Sequence, residues 1–270
     1  SDWEKFASYA FNKSHATCYS WVAYQTAYMK AHYPAEYMAA LMTRRFSQIT
    51  EITKLMEECK ALKIATLGPD VNESQIGFGV NKHGEIRFGL SAIKGMGASA
   101  AESIVREREK NGPYKDIYDF AERVDFSNVN RKAFESLAYS GGFDSFGLQR
   151  EQYFAITGKG DSFLDTIVRY GQLFQAEKAQ QQNSLFAGMD AIDVVHPVAP
   201  KAEKWPVIEK LNKERELVGI YLSAHPLDEY SVVLNNMCNT HCSKIGRNAD
   251  MTQLAKADEV TFGGIVTSVN

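Results

Sequence analysis

The five residues Ile93-Lys94-Gly95-Met96-Gly97 run without a break into a helical pattern from Ala98 to about Lys110, and they constrain the fold more than any other stretch. Two glycines separated by one apolar residue describe a tight bend, because glycine accepts positive φ and lets backbone approach closely. Ile93 and Met96 are expected to plug the bend into a core. The amides of Gly95, Gly97 and Ala98 then point outward at the positive end of a helix dipole, where an anion can sit. A nucleotide P-loop would end in Gly-Lys-Ser/Thr and a dinucleotide fold would need Gly-x-Gly-x-x-Gly; neither frame is present here. What remains is a helix-hairpin-helix clamp on nucleic-acid phosphate, with an ordinary tight turn between helices as the alternative.

The device recurs. A second helix is expected from Asn130, followed by Ser140-Gly141-Gly142-Phe143 and a further helical stretch from about Gln149 to Thr157. Asp144 puts a negative charge where a phosphate would approach, so this copy is expected to be the weaker binder or only a structural mate. Lys94, Gly95, Gly97 and Ser99 in the first bend, and Ser140, Gly141 and Gly142 in the second, are the candidate DNA-phosphate residues. Contacts of this kind carry no sequence information and are sensitive to salt.

Composition sets bounds. The 270 residues are 44% hydrophobic and 23% charged, enough to bury more than one core. The formal charge of −3 and a pI near 6.1 exclude a binder whose whole surface is basic, so any nucleic-acid contact is local. No apolar run is long enough for a membrane span and no signal peptide opens the sequence, so the expectation is a soluble, cytoplasmic protein without a membrane partner. Cys18, Cys59, Cys238 and Cys242 show no disulfide framework. The absence of an initial Met and the β-rich ending from Glu259 suggest a piece of something larger.

Periodicity predicts helices at about Asp2–Tyr9, Ser14–His32, Pro34–Phe46 and Thr50–Leu62, with Pro34 suited to a first helical position. Ile76, Phe78 and Val80 alternate, as do Ile86, Phe88 and Leu90, across a Lys82-His83-Gly84 turn: a β-hairpin. After the bends come helices from Asp161 to about Gln182 and from Val207 to Leu217, and a last one after Leu227. A linker is placed near 183–203. The charges from Lys210 to Glu216 read as a solvated face, and His196-Pro197 and His225-Pro226 as turn histidines.

Phe11-Asn12-Lys13-Ser14-His15 lies at a helix junction where cation, hydroxyl, imidazole and free amides meet, a set suited to a triphosphate or a strand end. A plain N-cap is the alternative. Further along, Tyr24 and Tyr28 stand four residues apart, a spacing more often core than a base-stacking platform.

These residues carry a resemblance. Phe11-Asn12-Lys13-Ser14-His15-Ala16, Ala23-Tyr24-Gln25-Thr26-Ala27-Tyr28 and the run from Lys30 to Thr43 resemble the fingers of the C-family bacterial replicative polymerases, the DNA polymerase III alpha subunits. The order continues through Gly89–Gly97, Ser140–Asp144 and Leu217–Tyr230, and the resemblance is weakest between Gly158 and Pro206. It implies a mainly α fold: helical fingers with a small β-hairpin over 1–90, a tandem helix-hairpin-helix region over 91–182, a linker over 183–203, a helical connector over 204–258, and the first strand of a truncated OB-type element over 259–270. It also implies that Asn12, Lys13, Ser14, His15, Tyr24 and Gln25 face incoming nucleotide and template.

Gln182, Ser184, Leu185 and Phe186 have the chemistry of a plug, an amide followed by two apolar anchors, although a helix end folded onto its own core is the simpler reading. The resemblance favours a sliding-clamp-binding peptide. It implies primer-template DNA, dNTP, the sliding clamp and other holoenzyme subunits as partners. It also implies Mg2+ held by palm carboxylates outside this stretch, with no cofactor bound within it. Asp161, Asp165, Asp190 and Asp193 have the wrong surroundings for such a pair, so the isolated piece is expected to be inactive although the whole polypeptide is a nucleotidyltransferase. A non-enzymatic DNA-binding adaptor with a clamp peptide is the alternative. Cys238, His241 and Cys242 lack a fourth zinc ligand at the usual spacing.

Overall fold

A computed structural model describes residues 3, 13–158, 160–183, 195–240 and 259–266. The chain is mainly helical. Helix α1 (Lys13–His32) buries none of its residues. Pro34 then opens α2 (Pro34–Arg45) at the position where a missing amide costs nothing. Ala35, Met38, Ala39 and Met42, at helical i, i+3, i+4, i+7 spacing, turn one face of α2 inward. That face meets α3 (Ile49–Ala61), which contributes Ile52 and Cys59, and the adjoining small sheet.

The expected hairpin forms between β2 (Gly79–Val80) and β3 (Ile86–Arg87), with Val80 opposite Ile86. The Asn81 side chain closes the turn by accepting from the amides of His83 and Glu85, both at 3.0 Å. A strand not foreseen, β1 (Thr66–Leu67), pairs parallel to β3, giving the order β1-β3-β2.

A 3-10 turn at Leu90–Ala92 leads through the first glycine bend into α4 (Ala98–Asn111). Arg108 of α4 is buried, and its guanidinium donates to the carbonyls of Val71 at 2.9 Å and Ser74 at 2.8 Å. Asn72 and Tyr114 exchange two hydrogen bonds, of 2.8 and 2.7 Å. The loop before the sheet is thereby tied to the helices after it. Next come α5 (Ile117–Arg123), capped by Asp116, and α6 (Arg131–Ser140), capped by Asn130. The short α7 (Arg150–Phe154) and the long α8 (Phe163–Asn183) complete this part. Its centre is aromatic: Phe120, Phe134, Phe143, Tyr153 and Phe163 are fully buried, with Phe120 edge-on to Phe143 at 5.0 Å.

Residues 195–206 lie across this core as an irregular strap. Tyr118 donates its hydroxyl to Pro197 O at 2.6 Å and stacks on His196 at 4.5 Å, and Gln152 reaches Pro200 O at 2.8 Å. Trp205 stacks with Tyr139 and Phe154 and lies 4.7 Å beneath the Lys213 ammonium of α9 (Val207–Val218). Among the described residues the last helix, α10 (Ser231–Met237), follows the His225-Pro226 turn.

The described part of the expected OB strand, 259–266, carries no strand assignment. Thr261 instead bonds to Asn239 and Thr240, so its backbone groups are engaged by a loop rather than by a neighbouring strand. The proposed helix at 2–9 lies outside the described residues apart from Trp3. Among the described residues no helix is long and apolar enough to cross a membrane.

Candidate nucleic-acid interface

Elementary backbone chemistry shapes the first bend. Ile93 and Met96 are buried as anchors, and the Met96 amide donates to Ile93 O at 3.0 Å. Gly95 takes φ +89, where a side chain is strained. Gly97 does not: it sits at φ −76, ψ 155, as the N-cap of α4, and a Cβ there would meet only Ser99 Oγ at 3.8 Å. The expectation that both glycines need positive φ is therefore corrected. At Gly97 the lack of a side chain leaves open space in front of the helix end. No side chain caps α4, so its first-turn amides keep their donors for another acceptor. Lys94, Gly95, Gly97 and Ser99 are all exposed. The bend is moored from two sides, by Lys94 N donating to Leu217 O at 2.8 Å and by Ser136 Oγ donating to Lys94 O at 3.1 Å.

The second bend faces the other way. Ser140, Gly141 and Gly142 are buried, and the amides of Gly141 and Gly142 both donate to Leu137 O, the latter at 2.7 Å. Gly141 is the left-handed C-cap of α6. Outward amides are not found here, because the bend is covered by Arg150. That side chain is 5% exposed, and its guanidinium donates to Asp144 at 2.6 and 2.9 Å and to Glu214 at 3.1 Å. Burial works against its charge, but the hydrogen bonds to Asp144 and the two nearby carboxylates outweigh this and hold it protonated. Asp144 thus serves an internal ion pair.

Glu214 corrects a second expectation. It is 1% exposed, in the middle of the run expected to be a solvated face. Besides Arg150 it accepts from the amides of Leu222 at 2.7 Å and Ser223 at 2.8 Å and from the Ser223 hydroxyl. Arg150 and Glu214 were not among the residues singled out from sequence. A signal existed for Glu214, which shares the inward stripe of α9 with Leu211 and Val218.

Of the nucleotide-facing candidates, Lys13, Ser14 and His15 stand exposed at the start of α1, and Asn12 lies outside the described residues. Tyr24 is 62% exposed, stacked on Trp21 at 6.1 Å, and Gln25 and Tyr28 are exposed beside it. The aromatic spacing does not mark a core face here. Lys13 and Tyr24 are about 16 Å apart along the helix axis at 1.5 Å per residue, so they do not meet at one point. Gln182 falls near the end of α8, and Ser184, Leu185 and Phe186 lie outside the described residues, as do His241 and Cys242. Asp161 pairs with Arg169 at 2.7 Å and Asp165 with Arg131 at 2.5 Å. The Arg131 hydrogen bond holds the Asp165 carboxyl below its usual range, and no metal-ligating cluster occurs among the described residues.

Comparison with known proteins agrees with this architecture. Residues 63–153 match the helix-hairpin-helix motif family, a range that takes in the sheet, both bends and most of α7. The chain is 35% identical over 269 residues to the DNA polymerase III subunit alpha of Xylella fastidiosa (strain Temecula1), covering 98% of this chain and 22% of that one. It is 39% identical over 227 residues to the Vibrio cholerae subunit and 36% identical over 227 residues to that of Escherichia coli K12, in each case 84% of this chain and 19% of the relative. The chain therefore spans about a fifth of the length of the curated relatives it matches. With the helical architecture, the matched bends and the identity extending over nearly its whole length, the chain belongs to the bacterial DNA polymerase III alpha family.

Proposed function

We propose that this segment is the nucleotide-facing and duplex-holding part of a replicative DNA polymerase whose catalytic carboxylates lie elsewhere in the full-length polypeptide. The observation that carries the reading is the first bend: an uncapped helix start, a glycine with room before it and an exposed Lys94 offer donors to a phosphate. Backbone amides and one ammonium recognise the rail and not the bases, as a polymerase acting on every sequence requires. Because the second bend is turned inward, the first carries the contact.

At the other end of the segment, Lys13, Ser14 and His15 offer a cation, a hydroxyl and an imidazole to a triphosphate, with Tyr24 and Gln25 further along the same helix toward the template. Gln182, Ser184, Leu185 and Phe186 dock to the sliding clamp, and the remaining holoenzyme subunits engage the rest of the polypeptide. Of the four aspartates weighed from sequence, Asp161 and Asp165 are taken up by arginines, and Asp190 and Asp193 lie outside the described residues. The segment on its own is therefore inactive, and its contribution is to bind and orient.

Primer extension by the full-length enzyme tests both ends. Gly97→Ala should raise the KM for primer-template without lowering Tm, because the fold leaves room for the methyl group. Lys13→Ala should raise the KM for dNTP while leaving that for primer-template unchanged. Unaltered KM values in both variants would overturn the reading.

A further inference from the structure

The two bends share a feature beyond their glycines. Gly95 and Gly141 both sit at φ +89, and each is crossed by a basic side chain from the first turn of a helix that follows it. Over Gly141 the side chain is Arg150, the first residue of α7, whose Nη2 would lie 2.1 Å from an added Cβ. Over Gly95 it is Lys132, the second residue of α6, whose Cε would lie 3.2 Å away. The difference is in what each cation binds. Arg150 is neutralised inside the protein by Asp144 and Glu214. Lys132 is exposed and has no carboxylate partner among the described residues, while the adjacent Arg131 pairs with Glu135 at 2.8 Å and Asp165 at 2.5 Å.

We propose that Lys132 is a phosphate ligand of the first bend: it holds the place that Arg150 holds in the second, and its anion comes from the DNA backbone instead of from the protein. The inward bend shows what the arrangement binds, namely anionic oxygens gathered by a cation lying across a left-handed glycine. The outward bend adds the uncapped start of α4 and the exposed Lys94, which comes from a different element than Lys132. A duplex phosphate fits this better than a side-chain carboxylate would, since it has oxygens for the amides and for both lysines. The assignment rests on the duplex-holding reading given above.

The test is a fluorescence-anisotropy titration of the full-length polypeptide with labelled duplex DNA over a potassium chloride series, using wild type, Lys94→Ala, Lys132→Ala and Lys132→Arg. Lys132→Ala is expected to weaken binding severalfold at low salt and to flatten the slope of log K against log salt by about 0.9, the release of one counterion. Lys132→Arg should restore the slope. A Lys132→Ala slope equal to wild type, whatever its affinity or Tm, would overturn the assignment if Lys94→Ala still flattened the slope. If neither alanine variant changed it, or the wild type did not bind duplex, the duplex-holding reading would fall and the assignment with it.

Discussion

Glu214 concentrates in one side chain the connection between α9, the second bend and the Leu222-Ser223 segment. Its buried carboxylate receives the buried Arg150 guanidinium, two amides and a hydroxyl. Truncating one member of a buried charge pair costs about 3–5 kcal/mol when the other is left uncompensated; Arg150 keeps Asp144, so the cost here falls toward the lower end, with the Leu222 and Ser223 amides losing their acceptor. Glu214→Ala is therefore expected to lower the urea midpoint sharply, whereas an exposed neighbour in the same run, Glu216→Ala, should leave it within experimental error. Equal midpoints for the two variants would contradict the role assigned to Glu214. At this scale the sequence was legible where cause and effect lie close together. Ile93 and Met96 were expected to anchor the bend because apolar residues flank its glycines, and both are buried. Ser140, Gly141 and Gly142 were expected to form the weaker binder or only a structural mate, and their burial favours the second of these. What turns them inward is Arg150 and, through it, Glu214, whose partnership spans 64 residues and leaves no local trace.

At the scale of elements, helix starts were the most readable features. Pro34 and Asn130 stand where their chemistry suits a first turn, Asn130 accepting from the amide of Ala133 at 3.1 Å, whereas α5 and its cap Asp116, which accepts from the amides of Tyr118 and Asp119, have no counterpart in the sequence reading. Asp116→Ala should destabilise the protein by about 1 kcal/mol, read in a denaturant melt, without changing DNA affinity. A change in affinity with no change in stability would show that the cap has a role beyond α5. Strand β1 escaped prediction because two residues give no alternation, and its parallel partner lies twenty positions along. Helix α1 shows the reverse difficulty. Spacing alone does not separate a core stripe from an exposed one, and Tyr19, Trp21, Tyr24 and Tyr28 are exposed.

Taken whole, the described chain has one hydrophobic core that runs from Ala35 of α2, through the sheet and the aromatic centre, to Ile220 beyond α9. In sequence, the proposed clamp peptide begins at the end of α8 and precedes the strap at 195–206, which is fastened to that core by Tyr118, Gln152 and the Trp205 stack. Leu185→Ala combined with Phe186→Ala is expected to abolish binding of the full-length polypeptide to the clamp in a titration, with duplex affinity preserved. Undiminished clamp affinity would remove that part of the proposal. The family and the mainly helical architecture were legible from the order of motifs, while the one-sidedness of the paired bends emerged only from how distant elements pack.

The mooring of Lys94 to Leu217 and Ser136 gives the outward bend a mechanical character. If the first bend holds duplex as proposed, a tug along the DNA would enter the protein at a loop tied at both shoulders. From Leu217 it travels down the last turn of α9 toward Glu214, and from Ser136 along α6 toward Gly141, so the two routes converge on the Arg150 knot. Under the duplex-holding proposal, the inward bend with its Arg150 ion pairs would be the abutment for the outward one.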